Sequence, residues 1–171
     1  MPCCIVANCV ANAGRIESGD SYKVYAEGVT PAVARLYEAI NAERVAVAAA
    51  LGASVPTLAD WFDRVYGVRE TTLVDTCQWL TYNSDGPYQA TGTPKSLDHK
   101  FITEDVPTGL VPMSALGEAA EVRTPAIDAL IEIVRSMTGQ DFAADRRTLE
   151  RLGLSGMGAL QIRRIVEEGF G

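Results

Sequence analysis

A threonine followed directly by proline stands ahead of a long apolar stripe at two places in this chain, Thr30-Pro31 and Thr124-Pro125. Threonine at an N-cap offers its side-chain oxygen to the free amides of a first helical turn. Proline at the next position costs no hydrogen bond, because that amide is unpaired in any helix. From Thr30 the run extends to Leu51, where Gly52 ends it. Val33, Leu36, Tyr37, Ile40, Val47, Ala48 and Leu51 recur along it at helical spacing. From Thr124 the stripe is Ile127, Leu130, Ile131, Val134 and Met137, with Asp128, Glu132 and Arg135 opposite and Gly139 as the stop. Thr57 with Asp60 resembles a capping box and opens a helix through Tyr66. Thr71 or Thr72 opens another that carries Leu73, Val74, Cys77, Trp79 and Leu80. Ser114 to Ala120 and Arg147 to Leu152 read as short helices, and Met157 to Glu168 as a final one with Leu160, Ile165 and Val166 inward. No segment alternates convincingly as a strand does, and there is no internal repeat. The spacing predicts one all-α, multi-helix domain over residues 1–171, of roughly seven helices. Arg44 falls within an apolar stripe, where an arginine either snorkels at the edge or meets a buried carboxylate, and a structural ion pair is favoured here over a ligand contact.

Composition narrows the function classes. The chain has 171 residues with a formal net charge of -7, a balance that repels phosphate backbones and speaks against nucleic acid as a partner. No apolar run reaches the ~20 residues that span a bilayer, so no membrane association is expected. The start lacks the basic and apolar pattern of a signal peptide, and the expected location is cytoplasmic. Cys3, Cys4, Cys9 and Cys77 match no zinc spacing and no paired disulfide framework, which leaves reduced, buried thiols and no metal. No Gly-x-Gly-x-x-Gly turn is present, so no cofactor-binding residues are assigned.

Asn83 to Thr93 is turn-rich and reads as a long loop. Shortly after it comes His99 to Pro112, a segment that mixes the sole histidine, a lysine and two adjacent carboxylates with an apolar half. A loop of that make-up is expected to lie against the core with its charges aimed at something. Four readings are open. Asp98, His99, Glu104 and Asp105 could hold a metal. His99 could act as a general acid or base. Lys100 could read a substrate carboxylate while Asp105 orients a catalytic partner. Glu104 and Asp105 could simply cap the turn before Pro107 and face water.

The segment His99-Lys100-Phe101-Ile102-Thr103-Glu104-Asp105-Val106-Pro107-Thr108-Gly109-Leu110-Val111-Pro112 resembles the signature of the opine dehydrogenases of octopine and nopaline dehydrogenase type. Their pattern is roughly His-Arg-Tyr-Leu-Thr-Glu-Asp-Val-Pro-x-Gly-Leu-Val-Pro. Asn12-Ala13-Gly14-Arg15-Ile16-Glu17 is similar to the stretch where that family's second domain begins. Tyr25 to Thr30, with Glu43-Arg44 and Ala50-Leu51-Gly52, is similar to its first long helix and the approach to it. The resemblance implies an α-helical substrate domain similar to the 6-phosphogluconate dehydrogenase C-terminal-like fold. It also implies a reaction, reduction of the imine formed between a 2-oxo acid and an amino acid, with NAD(P) held by a separate N-terminal Rossmann domain. On the same resemblance Asp105 supports a catalytic histidine, and Lys100 stands where an arginine commonly holds a substrate carboxylate. Asn12, Arg15 and Glu17 are secondary candidates, for substrate binding or for fixing the entry of the chain into the helical domain.

One position departs from the pattern. Ungapped, Ile5 occupies the place of the family's catalytic histidine and Val6 that of the proline after it. Isoleucine cannot move a proton, and His99 belongs to the other motif. The reading is therefore a substrate-binding and oligomerisation domain, inactive alone, whose partners are a 2-oxo acid and amino acid, a Rossmann-domain protein and further copies of itself. The alternative is a non-catalytic helical module that binds an amino-acid-like ligand or a protein.

Overall fold

The computed structural model describes residues 2–142 and 147–169, and all regular elements among them are helical. In chain order these are α1 (Pro2–Ala11), α2 (Ala13–Glu17), α3 (Pro31–Ala50), α4 (Leu58–Tyr66), α5 (Leu73–Tyr82), α6 (Lys100–Thr103), a π turn (Val106–Leu110), α7 (Val111–Ala119), α8 (Pro125–Thr138) and α9 (Ala159–Glu168). The all-α expectation holds. None of these helices is long and apolar enough to cross a membrane.

Helix α1 is the centre of the fold, packing against α3, α6, the π turn and α8. Cys4, Ile5, Val6, Ala7, Asn8 and Cys9 are all buried in succession. A helix apolar on every side has no stripe to find, because core surrounds it, and periodicity therefore gave no helix here. Cys4, Cys9 and Cys77 are buried and form no disulfide among the described residues; the side chain of Cys3 lies outside the described residues.

The threonine starts act as caps at Thr30, Thr57 and Thr72, whose hydroxyls accept from the amides of Val33, Asp60 and Asp75. Helix α3 ends in a Schellman arrangement. Gly52 turns left-handed at φ +79, its amide donates to Ala49 O, and Ala53 N donates to Ala48 O. Thr124 behaves differently: its hydroxyl donates to Asp128, and the free amides of α8 find a distant partner. The Glu43 carboxylate on α3 accepts from Ala126 N at 2.8 Å and from Ile127 N at 2.9 Å. This side chain caps a helix more than eighty residues away and locks α3 to α8. Replacing Glu43 with alanine is expected to cost about 1–2 kcal/mol in urea denaturation, and with glutamine clearly less.

Several expectations are corrected. The segment from Lys100 to Leu110 is helical, not an extended loop, and α7 begins at Val111, ahead of Ser114. Residues 149–153 form turns in place of the short helix expected from Arg147 to Leu152. In α9 the inward residue is Ile162, while Leu160 is 84% exposed and Val166 faces water too. Arg44 meets carbonyls, donating to the Asn41 side chain and to the Pro56 backbone, and no carboxylate among the described residues pairs with it. A carbonyl suffices because the guanidinium is only half-buried and water solvates the rest.

Candidate functional site

The backbone from His99 to Pro112 owes its shape to two prolines spaced five apart. Pro107 and Pro112 lack amides, so the helix cannot keep its usual ladder between them. The chain widens instead into a π turn in which Val111 N donates to Val106 O. In that register the partner of Pro107 O is residue 112, which has no N–H to give. Arg147 N, from the C-terminal segment, fills the gap at 3.0 Å. Thr108 secures the preceding turn, with its amide and hydroxyl both bonded to Glu104 O. Single π turns recur beside functional positions because they redirect the residues around them.

Asp105 is the residue just ahead of this turn. It is half-buried, and burial is the main cause that raises its carboxyl from 3.8 to about 6; Glu104 adds to the rise and Lys100 opposes it. The carboxyl lies close enough to Cys9 on α1 and to Tyr25 to disfavour ionisation of both, with Cys9 pushed up to about 12 chiefly by its own burial. Lys100 is exposed at the start of α6, and no described carboxylate lies within ion-pair distance of its ammonium. The segment thus brings a carboxyl that resists ionisation near an unpaired cation.

His99 caps α6. Its Nδ1 accepts from Phe101 N at 3.3 Å, and its ring meets the Phe101 edge at 4.4 Å. Burial lowers its pKa, Lys100 lowers it further and Glu104 opposes them. Asp98 and Glu104 are exposed. Asn12 is buried, and its amide donates to Asn8 O and to Gly28 O, tying α1 to the turn over residues 23–28. Arg15 lies 3.9 Å over the Tyr22 ring and pairs at long range with Asp20 and Glu27. Glu17 is exposed. Among the described residues no group of three or more His, Cys, Asp or Glu side chains could hold a metal ion.

Sequence reasoning missed the aromatic cluster beside Asp105. Tyr25 and Tyr88 stack with centroids 4.3 Å apart, Tyr66 meets Tyr88 edge-on, and Trp61 meets Tyr66. These rings come from three separate segments, the turn holding Tyr25, helix α4 and the loop holding Tyr88, so no local signal marks them.

The sequence of residues 5–138 matches the family of NAD/NADP octopine/nopaline dehydrogenases, in its alpha-helical domain. The chain belongs to that family. Among curated relatives of the octopine/nopaline dehydrogenase domain is the opine dehydrogenase of Arthrobacter sp. (strain 1C). It is 42% identical over 156 residues, which is 91% of this chain and 42% of the relative. The vitopine synthase of Allorhizobium ampelinum is 32% identical over 149 residues, 86% of this chain and 40% of that protein. The chain thus spans about two-fifths of the length of these relatives. A solved octopine dehydrogenase, held with NADH and L-arginine, superposes with a TM-score of 0.70 at 19% identity over 92% of this chain and 45% of its own. That likeness supports the all-helical domain fold.

Proposed function

We propose that this chain is the substrate-binding part of an NAD(P)-dependent opine dehydrogenase-type oxidoreductase, joining a 2-oxo acid to an amino acid by reduction of their imine. The observation that carries the reading is the exposed Lys100 at the start of α6 within electrostatic reach of the half-buried Asp105 ahead of the π turn, in a domain of this family. The free ammonium of Lys100 is suited to a substrate carboxylate. It binds as a point charge and lacks the two-pronged fork of arginine, so it sets less geometric selectivity. Asp105 has the character of a positioning residue for a proton-transfer group, since a carboxylate beside an imidazole fixes its tautomer and stabilises its cation. Asn12 and Arg15 fit better as scaffold, because their polar atoms are already engaged with the 20–28 segment. NAD(P) would be held by a separate Rossmann domain and by no residue of this chain.

Ile5 bears on the chemistry. It is 3% exposed on α1 and contributes methyl groups alone to its surroundings. The purified chain is therefore expected to leave NADH unoxidised in the presence of pyruvate and a panel of amino acids. NADH turnover by the chain alone would refute this. Saturable binding of an N-(1-carboxyethyl) amino acid, measured by calorimetry, tests the substrate assignment directly. Lys100→Ala is expected to weaken it about tenfold or more, and no binding by the native chain, alone or with a Rossmann partner, would end the reading.

The burial of Ile5 also favours a second reading, a non-catalytic helical module for an amino-acid-like ligand. A neighbouring reading frame encoding a Rossmann domain supports the split enzyme; its absence supports the module. Self-association belongs to the same proposal. Ile133 and Met137, one turn apart on α8, expose apolar surface, and sedimentation of the chain would reveal the oligomer.

A further inference from the structure

A small cavity of about 20 Å³ lies under the stacked rings of Tyr25 and Tyr88, with Cys4, Ile5, Tyr37 and Cys77 among its walls. Those four inner residues are buried, whereas the two stacked tyrosines are half-buried and lie on the outer side. The volume suits one molecule of water size, since about 10–15 Å³ of such space is the minimum for one.

The walls are mixed, with Leu58 and Phe62 beside the polar groups. Tyr37 is 3% exposed, and its hydroxyl has no hydrogen-bond partner among the protein's atoms. The Asn8 amide is near enough to exert a weak downward pull on that phenol, yet the two do not meet in hydrogen-bonding geometry. Burial drives the phenol's pKa well upward, and Cys4, Cys77 and Tyr25 reinforce the rise, which puts their polar atoms in the neighbourhood of the same hydroxyl. A buried hydroxyl left without a partner costs on the order of tenfold or more in the folding equilibrium. Dry cavities of this size are lined by hydrocarbon, whereas polar ones recruit water.

The occupant's chemistry is constrained from two sides. It must be able to donate as well as accept, because the phenol can take either role whereas the Cys4 thiol, whose hydrogen goes to Tyr37 O, offers its sulfur as an acceptor. It must also be neutral, because burial discourages charge throughout the site; Cys77 is pushed up to about 12 by burial, with Cys4 adding to the rise. We infer that this cavity is a site for one ordered water molecule, held by the Tyr37 hydroxyl and completed by the sulfur atoms of Cys4 and Cys77. The water would link α1, α3 and α5 at one point.

Two measurements on the full chain test this. In water-selective nuclear Overhauser spectra, a long-lived water is expected to cross-relax with the Ile5 methyl groups, and the signal should vanish in Tyr37→Phe. In urea denaturation Tyr37→Phe is expected to lower the folding equilibrium constant by about tenfold, because the water loses its anchor. An unpartnered hydroxyl gives the opposite sign, since phenylalanine then removes a buried polar group and the variant is as stable as the native chain or more so. That result, or the lack of a long-lived water near Ile5 in the native chain, overturns the inference.

Discussion

Gly28→Ala is expected to lose most of the native stability, about 3–5 kcal/mol, and to leave the chain partly unfolded at room temperature. An added Cβ there would clash with the backbone oxygen of Val24 and lie 2.9 Å from both polar atoms of the Asn8 amide. Neither neighbour can yield. Val24 is fully buried in the turn, and Asn8, fully buried on α1, donates from Nδ2 to that same Val24 oxygen at 3.0 Å. Asn12 Nδ2 donates to Gly28 O one helical turn further along. Moving the turn outward to admit a methyl group would break both bonds and take from the buried Asn8 amide its acceptor, while Asn12 keeps only its bonds to Asn8, on top of the overpacking itself. Urea denaturation followed by circular dichroism reads the effect. A loss under 1 kcal/mol would show that the turn is looser than these distances require.

The same crossing explains what the sequence did and did not reveal. Helix ends were legible because they depend on neighbours: Thr30, Thr57 and Thr72 cap as their positions suggest, and Gly52 and Gly139 adopt the left-handed backbone that stops α3 and α8. The start of α8 was placed correctly at Pro125 but for an incomplete reason, since its cap is Glu43 from another helix. Interactions across eighty residues leave no local spacing to read. Helix α1 failed for the opposite reason. It is buried on all sides, so its apolar run carries no period. Helix α9 lies where its pattern placed it, but its inward face differs, because Leu160 and Val166 supply apolar character without burial and Ile162 anchors it.

The candidate site was legible as a string of residues and not as a shape. The motif from His99 to Pro112 is recognisable, whereas its helical backbone is not, because prolines usually end helices. Here Pro107 and Pro112 cooperate in a π turn, and the carbonyl they orphan is satisfied from Arg147, which no inspection of the motif could supply. Removing that amide with Arg147→Pro is therefore expected to loosen the π turn and raise hydrogen exchange of the Val111 amide, which unchanged protection would contradict. The groups that feel the Asp105 charge, Cys9 and Tyr25, come from α1 and from the turn over residues 23–28, far from the motif in sequence.

Asp105→Asn is expected to make the chain more stable at pH 7.5 while removing activity from any assembly in which the chain is catalytic. The folded pKa of Asp105 is raised, so the native state favours the protonated form. Below pH 3.8 the carboxyl is neutral in both native and unfolded chains, and it imposes no cost. Between pH 3.8 and about 6 the unfolded chain releases a proton that the native chain retains, so this group's contribution to stability declines as pH rises. Above about 6 the native chain carries the charge at its full penalty. The rise corresponds to at most about 3 kcal/mol, and solvent screening at a half-buried site reduces it to roughly 1 kcal/mol. Asparagine keeps the shape without the charge. The stability difference between Asp105→Asn and the native chain should then grow from near zero at pH 4 to about 1 kcal/mol at pH 7.5. Using the difference cancels other groups, including Asp60, whose lowered pKa makes acid destabilising. If Asp105 orients a proton-transfer group as proposed, the same change costs about 10²–10⁴-fold in turnover once a nucleotide-binding partner is supplied. A difference that stays flat between pH 4 and 7.5 would place the carboxyl in ordinary solvent and remove the physical basis for its role. A pH-dependent gain in stability with undiminished turnover would instead leave its environment as described and assign the chemistry to another residue.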